Sequence, residues 1–247
     1  MIRFLPAPDG EDVPWARLFS HGFQGPGGWF IENSLTTLNK PDPVSEYNTS
    51  LWNNGSQSGK DQARKQKRRL NYYSNIMVIE DPNNSDNEGK VFLYRYGKKI
   101  FDKVNEAMNP EFEDEEPINP FDFWEGADFK IKIRTIDGFV NYDKSEFSTP
   151  SPLLDGDDAK LEEVWKKQNQ LSEFTDPDNF KTYEELKEKL ERTLGLLEDT
   201  ATNSPDPTTF DQEDTAESTE LETASAVKQA TSGTDTLEYF QNLADEQ

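Results

Sequence analysis

At 247 residues the chain has room for one large domain or two small ones. Its 49 Asp and Glu against 26 Lys and Arg give a formal net charge of -23, and only 32 % of residues are hydrophobic, below the range of a wholly packed chain. The absence of cysteine excludes disulfides, thiolate metal sites and cysteine nucleophiles, and no apolar stretch approaches the roughly 18 residues of a membrane span. The N-terminus lacks the layout of a signal peptide, so the composition reads as a soluble intracellular protein.

Ile2 to Pro6 reads as a short strand. The apolar runs Trp15 to Phe23 and Trp29 to Glu32 flank Gln24 to Gly28, a Gly-Pro turn sequence, and together predict a β-hairpin. Residues 33–59 are rich in Asn, Ser, Pro and Gly and read as a long irregular segment. Tyr72 to Ile79 and Val91 to Tyr96 are strands by their β-branched and aromatic content, joined as an antiparallel pair by the polar loop Asp81 to Lys90. In the second of them Phe92, Tyr94 and Tyr96 share one face, which is either core or a stacking platform. Ile100, Val104, Ala107 and Met108 recur at helical spacing within Lys98 to Met108. Asp128 to Ile136 alternates apolar and basic residues, a half-buried strand with Lys130, Lys132 and Arg134 on its wet face, and Gly138 to Tyr142 continues it. Two helices follow, one marked by Leu161, Val164, Trp165, Gln168 and Leu171. The other opens on a capping box at Thr182 to Glu185 and carries Leu186, Leu190, Leu194 and Leu197.

After Asp199 no periodicity survives, and from Asp199 to Gln247 twelve acids stand against the single basic residue Lys228. That stretch reads as a disordered tail, which divides the chain into a core of residues 1–198 and a tail of residues 199–247. Its last residues place Leu237, Tyr239, Phe240 and Leu243 among acids, the pattern of a docking peptide for partner proteins.

Against this background, Lys60 to Arg69 changes sign abruptly, with six cations and one acid, and Tyr72 and Tyr73 follow closely. Cations feeding into rings suit unpaired nucleic acid, because the cations follow phosphates and the rings stack on bases without reading them. An overall negative chain repels polyanions, yet a groove stays locally positive when its acids lie elsewhere. Arg3, Arg64, Lys65, Lys67, Arg68, Arg69, Arg95, Lys98, Lys99, Lys130, Lys132 and Arg134 supply cations, and Trp29, Phe30, Tyr47, Tyr72, Tyr73, Tyr94, Tyr96, Phe101, Phe139 and Tyr142 supply rings. Interleaved along strands, they suit an α+β, mainly β fold: an OB-fold-like barrel core with helical additions. Many of these rings are needed as core, and we expect fewer than about half to touch a base.

No catalytic constellation stands out. His21 is the only histidine, and the acids Asp114 to Glu116 and Asp155 to Asp158 lie in Pro- or Gly-bearing stretches where solvated charge is the ordinary state. The rival readings are an acidic DNA mimic or adaptor, for which Lys60 to Arg69 is merely a loop, and a metal-dependent nuclease built on those acids.

Several segments, in order, resemble the single-stranded DNA-binding, helix-destabilising proteins of T-even-like phages, particularly those of cyanophages. They include Ile2-Arg-Phe-Leu-Pro6, His21-Gly-Phe23 with Trp29-Phe-Ile-Glu32, Lys67-Arg-Arg69 with Tyr72-Tyr73, and Tyr94-Arg-Tyr-Gly-Lys-Lys-Ile-Phe101. Trp124-Glu-Gly-Ala127, Asn141-Tyr-Asp143 and Phe180-Lys-Thr-Tyr-Glu-Glu-Leu186 continue the likeness. The resemblance implies a non-enzymatic OB-fold core whose cleft holds single-stranded DNA in replication, recombination and repair, in the cytoplasm of the infected host. It implies a cleft lined by Lys67, Arg68 and Arg69, with Tyr47, Tyr72, Tyr94, Phe101, Phe139 and Tyr142 along it. It also implies an acidic tail that contacts phage replication and recombination proteins and competes with DNA. The family's structural zinc, held by one histidine and three cysteines, is expected to be lost: His21 remains, while Ser34, Asp42 and Ser45 fall at the cysteine positions. The family's basic N-terminal arm is absent from this sequence, so weak or no cooperative self-association is expected.

Overall fold

The computed structural model describes residues 1–112 and 114–196, all within the first of two units, Met1–Pro207 and Thr208–Gln247. The expected acidic tail, with Leu237, Tyr239, Phe240 and Leu243, lies outside the described residues, as do Leu197 and the expected boundary at residue 198.

The N-terminal strand β1 (Ile2–Phe4) is followed by the hairpin β2 (Ala16–Gly25) and β3 (Gly28–Asn33). Helices α1 (Pro43–Asn53) and α2 (Gln57–Lys65) lead to β4 (Arg69–Val78), β5 (Val91–Tyr96) and α3 (Lys98–Met108). Short strands β6 (Phe129–Lys130), β7 (Arg134–Ile136), β8 (Phe139–Asn141) and β9 (Glu146–Phe147) precede α4 (Asp158–Lys166) and α5 (Tyr183–Thr193). Every ladder is antiparallel. The main sheet runs β3-β2-β4-β1-β6-β9 with β5 on the other edge of β4, and β7 and β8 form a separate hairpin.

Strand β4 organises this sheet. One edge pairs with β5 from Tyr72 to Met77. The other pairs first with β2, along Arg69 to Tyr73, and then with β1, along Ile76 to Val78. On one face of this sheet the rings of β1, β5, β6 and β9 meet. Phe4, fully buried, packs against the rings of Tyr94, Tyr96, Phe121, Phe129 and Phe147 at centroid distances of 5.5–6.3 Å. Helix α3 closes this cluster through Ile100 and Val104, the two buried positions of its apolar stripe. On the opposite face, Leu161 and Val164 of α4 pack with Leu5 and Met77. A third cluster joins Phe23 and Phe30 of the hairpin to Val44 of α1 and to Leu186 and Leu190 of α5.

The turn of the hairpin explains why glycine stands there. Gly27 N–H donates to Thr193 O at 2.9 Å, and a Cβ at Gly25 or Gly27 would collide with the carbonyls of Thr193 or Arg192. Helix α5 opens with the expected capping box, Thr182 and Glu185 bonding reciprocally.

Two expectations fail. Residues 33–59 are not irregular: they hold a 3-10 turn at Leu35–Leu38, all of α1 and the start of α2. Ser34, Asp42 and Ser56 cap these elements with side-chain oxygens, and Pro43 stands at the first turn of α1. Turn-type residues here are the punctuation of short helices whose order comes from packing Val44 and Tyr47 against α5. Nor is Asp128 to Tyr142 one long strand. Lys132 N–H donates to the Ser145 hydroxyl at 2.9 Å instead of a ladder carbonyl, and the chain then leaves the sheet as the β7–β8 hairpin.

Candidate nucleic-acid interface

Residues paired across an antiparallel ladder share a face, and neighbours along a strand do not. Arg17 pairs with Tyr72, which pairs with Tyr96, and Phe19 pairs with Leu70. These side chains therefore stand on the aromatic face with Tyr94 and Phe4. Phe101 of α3 lies flat on Tyr72, 3.9 Å between centroids and 5° between planes, and Trp15 meets Phe101 edge-on at 5.5 Å. Around the rim of this cluster Trp15, Tyr94, Phe101 and Tyr142 are half-buried.

Tyr72 and Tyr73 must point to opposite faces. Tyr73 stacks on Phe174 at 4.1 Å, on the side covered by α4. Arg95 pairs with Tyr73, and Arg69 lies four residues before Tyr73 on the same strand, an even spacing, so both belong to that second face. Tyr72 is on the expected face but is 6 % exposed and supports Phe101 from beneath rather than offering a free surface. Burial pushes its phenol pKa up, and does the same more strongly at Tyr96, whose hydroxyl shares a hydrogen bond with Ser74.

Arg3 does not reach the surface at all. It is fully buried, donates to Ser151 O and lies 3.6 Å from Asp128, so it ties the strand core to the 151 loop. Burial lowers its pKa, with Asp128 and Asp122 opposing that effect. The remaining expected residues divide by location. Tyr47 packs with α5 in the third cluster, and Phe139 stands 44 % exposed on the β7–β8 hairpin. Lys98 faces Asp102 at 2.9 Å, Lys132 faces Glu146 at 2.6 Å, and Arg64 faces Asp61 at 2.6 Å. Lys65, Lys67 and Arg68 are exposed, Lys99 is half-buried, and none of the four has an ion-pair partner among the described residues. Arg68 is drawn to a ring: its guanidinium lies 4.3 Å from the centroid of Phe19.

Sequence reasoning missed four residues here. Arg17 lies 5.7 Å from the same Phe19 ring, and Trp15 adds a ring to the rim. Trp52 of α1 carries Lys60 at 5.5 Å and Arg64 at 5.3 Å from α2. The period-2 alternation of Arg17 and Phe19 with Ala16 and Leu18 was a usable signal. The Trp52 contacts require two helices to meet, which no local pattern announces.

Beneath the basic run lies a buried polar centre. Asp42 caps α1 and accepts from Ser45 N–H at 2.9 Å, Ser34 hydroxyl at 2.9 Å and Leu35 N–H at 3.1 Å. His21 Nε2 lies 3.1 Å from the same carboxylate, and its Nδ1 lies 3.3 Å from Gln66 O. Asn48 donates to that carbonyl as well, at 3.1 Å. Burial pushes the Asp42 carboxyl up, but the hydrogen bonds from His21, Ser45 and Ser34, with the His21 charge, outweigh it and hold the group far below the usual carboxylate range. Gln66 immediately precedes Lys67, so this centre fixes where the basic run leaves α2. His21, Ser34, Asp42 and Ser45 are thus neighbours in space.

Residues 1–194 match the family described as "gp32 DNA binding protein like". The chain belongs to this family. It is 39 % identical, over 201 residues, to proteins named "Single-stranded DNA-binding protein" from Enterobacteria phage T2 and Enterobacteria phage T4. Each match covers 79 % of this chain and 65 % of the relative, so less than two thirds of those proteins is represented. A shorter match, 45 % identical over 49 residues, links 19 % of the chain to 43 % of a protein of the same name from Escherichia phage SV14. Among the described residues no helix is long and apolar enough to cross a membrane, and no group of three or more His, Asp or Glu is placed to hold a metal ion.

Proposed function

We propose that this chain binds and protects single-stranded DNA without sequence preference during phage DNA replication, recombination and repair, in the cytoplasm of the infected host and without catalysis. The observation that carries this reading is the run of Arg68, Phe19, Arg17, Tyr72 and Phe101 along one sheet face, where exposed cations alternate with rings. The cations displace counterions from phosphates, and each stacked base adds roughly 1–3 kcal/mol on a rim ring such as Phe101 or Tyr94. Duplex is disfavoured because paired bases cannot reach these rings. Names carried by the T2 and T4 relatives support the same reading. An acidic DNA mimic has no use for unpaired cations held beside aromatic side chains. We read the sheet as an OB-fold-like barrel, supported by the meeting of rings from β5, β6 and β9 around Phe4 and by the exchange of β2 for β1 along one edge of β4.

The same reading makes the acidic stretch from Asp199 a tethered competitor for the interface, and its motif of Leu237, Tyr239, Phe240 and Leu243 a docking element for replication and recombination proteins. It also makes the protein independent of zinc. The polar centre brings together one imidazole, one carboxylate and one hydroxyl side chain, that of Ser34, and the carboxylate oxygens are already occupied by four hydrogen-bond donors. That donor set does not fit a tetrahedral zinc ion, which needs thiolates or further imidazoles here.

Addition of poly(dT) is expected to quench tryptophan and tyrosine fluorescence, with a log-log salt slope near -3 for about four neutralised phosphates. Emission unmoved by poly(dT) at low salt would overturn the reading. Removal of residues 199–247 is expected to tighten binding at low salt, and unchanged affinity would remove the competitor role.

A further inference from the structure

We infer that Arg17, Phe19 and Arg68 form a phosphodiester-binding subsite, in which Phe19 is a positioning residue that holds two guanidinium groups toward one DNA phosphate path. This rests on the single-stranded DNA reading above and gives three of its residues a separate task, the grip on one phosphate.

Charge pairing is the first support. Arg64, Lys98, Lys132 and Arg134 each face a carboxylate, at Asp61, Asp102, Glu146 and Asp143. Arg17 and Arg68 are exposed and have no such partner among the described residues, in a chain with 49 acids to choose from. Two cations are nonetheless drawn to the same ring, Arg68 at 4.3 Å and Arg17 at 5.7 Å from the Phe19 centroid. Like charges gathered this way repel, and the ring quadrupole offsets only part of that repulsion. An external anion completes the arrangement.

Geometry is the second. Neither guanidinium is spent on a carboxylate among the described residues, so the N–H donors that grip phosphate oxygens remain available beside the ring. The backbone that carries the ring is fixed. Phe19 N–H donates to the Thr37 hydroxyl at 2.9 Å, and Phe19 O accepts from Ser34 N–H at 2.8 Å and from the Thr37 hydroxyl at 3.3 Å. Location is the third. Arg17 stands directly across the ladder from Tyr72, and Phe101 lies on Tyr72, so a phosphate held here leads its base toward the rim rings. The ligand class is the phosphodiester of an unpaired strand; inorganic phosphate shares the chemistry but not the rings.

The test is a fluorescence titration of the full chain with a dT oligomer across a salt series, with inorganic phosphate as a competitor. Arg17→Ala is expected to flatten the log-log salt slope by about 0.7 and to weaken binding about fivefold near 0.1 M salt, the share of one phosphate on a single strand. Phe19→Leu is expected to flatten the slope similarly, and Phe19→Tyr to restore it. Inorganic phosphate at millimolar levels is expected to compete weakly, since it cannot engage the rings. If Arg17→Ala keeps the wild-type affinity and slope, the subsite is wrong while salt-dependent DNA binding stands. If Phe19→Leu lowers Tm but leaves the slope unchanged, the positioning role is wrong. If inorganic phosphate displaces the oligomer fully, the site serves free phosphate and the assignment to DNA fails. A wild-type chain that ignores the oligomer would instead sink the broader reading.

Discussion

Replacing Asp42 with alanine is expected to lower folding stability by about 3–5 kcal/mol, because several buried donors are left without an acceptor at roughly 1–3 kcal/mol each. The carboxylate is 2 % exposed and is the common acceptor for His21, Ser34, Leu35 N–H and Ser45 N–H. Without it, four donors lose their partner and α1 loses its cap. In a domain of this size the change corresponds to a fall of about 10 °C in Tm. Asp42→Asn keeps the shape and the cap but not the charge, and should fall between the two. Acid titration separates charge from packing. The folded carboxyl is held below its unfolded value, so its stabilisation is present above about pH 4, the ordinary carboxylate value, and is lost as pH falls further toward the folded value. Thermal melts should show that acid loss in the wild type and a flatter profile in Asp42→Asn. Treatment with a metal chelator is expected to leave the wild-type Tm where it is. A chelator-induced fall of several degrees would bring back a metal at this centre, and a harmless Asp42→Ala would remove its structural role.

The second large effect concerns the basic run. Charge reversal at Lys67 and Arg68 together is expected to weaken single-stranded DNA binding at least about a hundredfold near 0.1 M salt, since each reversal removes a phosphate contact and adds a repulsion. The loss should be the same for dT and mixed-sequence oligomers, because phosphate contacts carry no base information. Arg69→Glu is the internal control. Its side chain belongs to the other face of β4, by its pairing with Ser20 and its spacing from Tyr73, so its reversal should cost far less than that of Arg68. Filter binding or anisotropy on the three proteins decides the matter. Equal losses at Arg68 and Arg69 would mean that the DNA path does not follow the aromatic face.

How much of this was legible beforehand differs by residue. Strands β1, β2, β3, β4 and β5 follow from β-branched and aromatic runs between turn signals, and each lies within a few residues of its expected place. Helices α3 and α5 follow from apolar stripes at helical spacing. Helices α1 and α2 do not, because each buries only two residues and takes its order from neighbours. The long strand expected from Asp128 breaks for a similar reason: the Ser145 hydroxyl, thirteen residues away, takes the amide that a ladder needed.

The amino-acid order alone determined that cations precede rings between Lys60 and Tyr73, and that Arg17 and Phe19 alternate with apolar neighbours. Strand periodicity then fixes which side chains are on opposite sides, but not which side meets the core. Only the tertiary structure decided that. Packing α4 and Phe174 on one face and leaving the Trp15, Tyr94 and Phe101 rim open on the other moved Arg3 into the interior and Tyr73 and Arg95 to the far side. It also gathered His21, Ser34, Asp42 and Ser45 into one buried centre. The physical reason is that a period of two records a difference between faces, whereas burial depends on what distant segments lay over each of them.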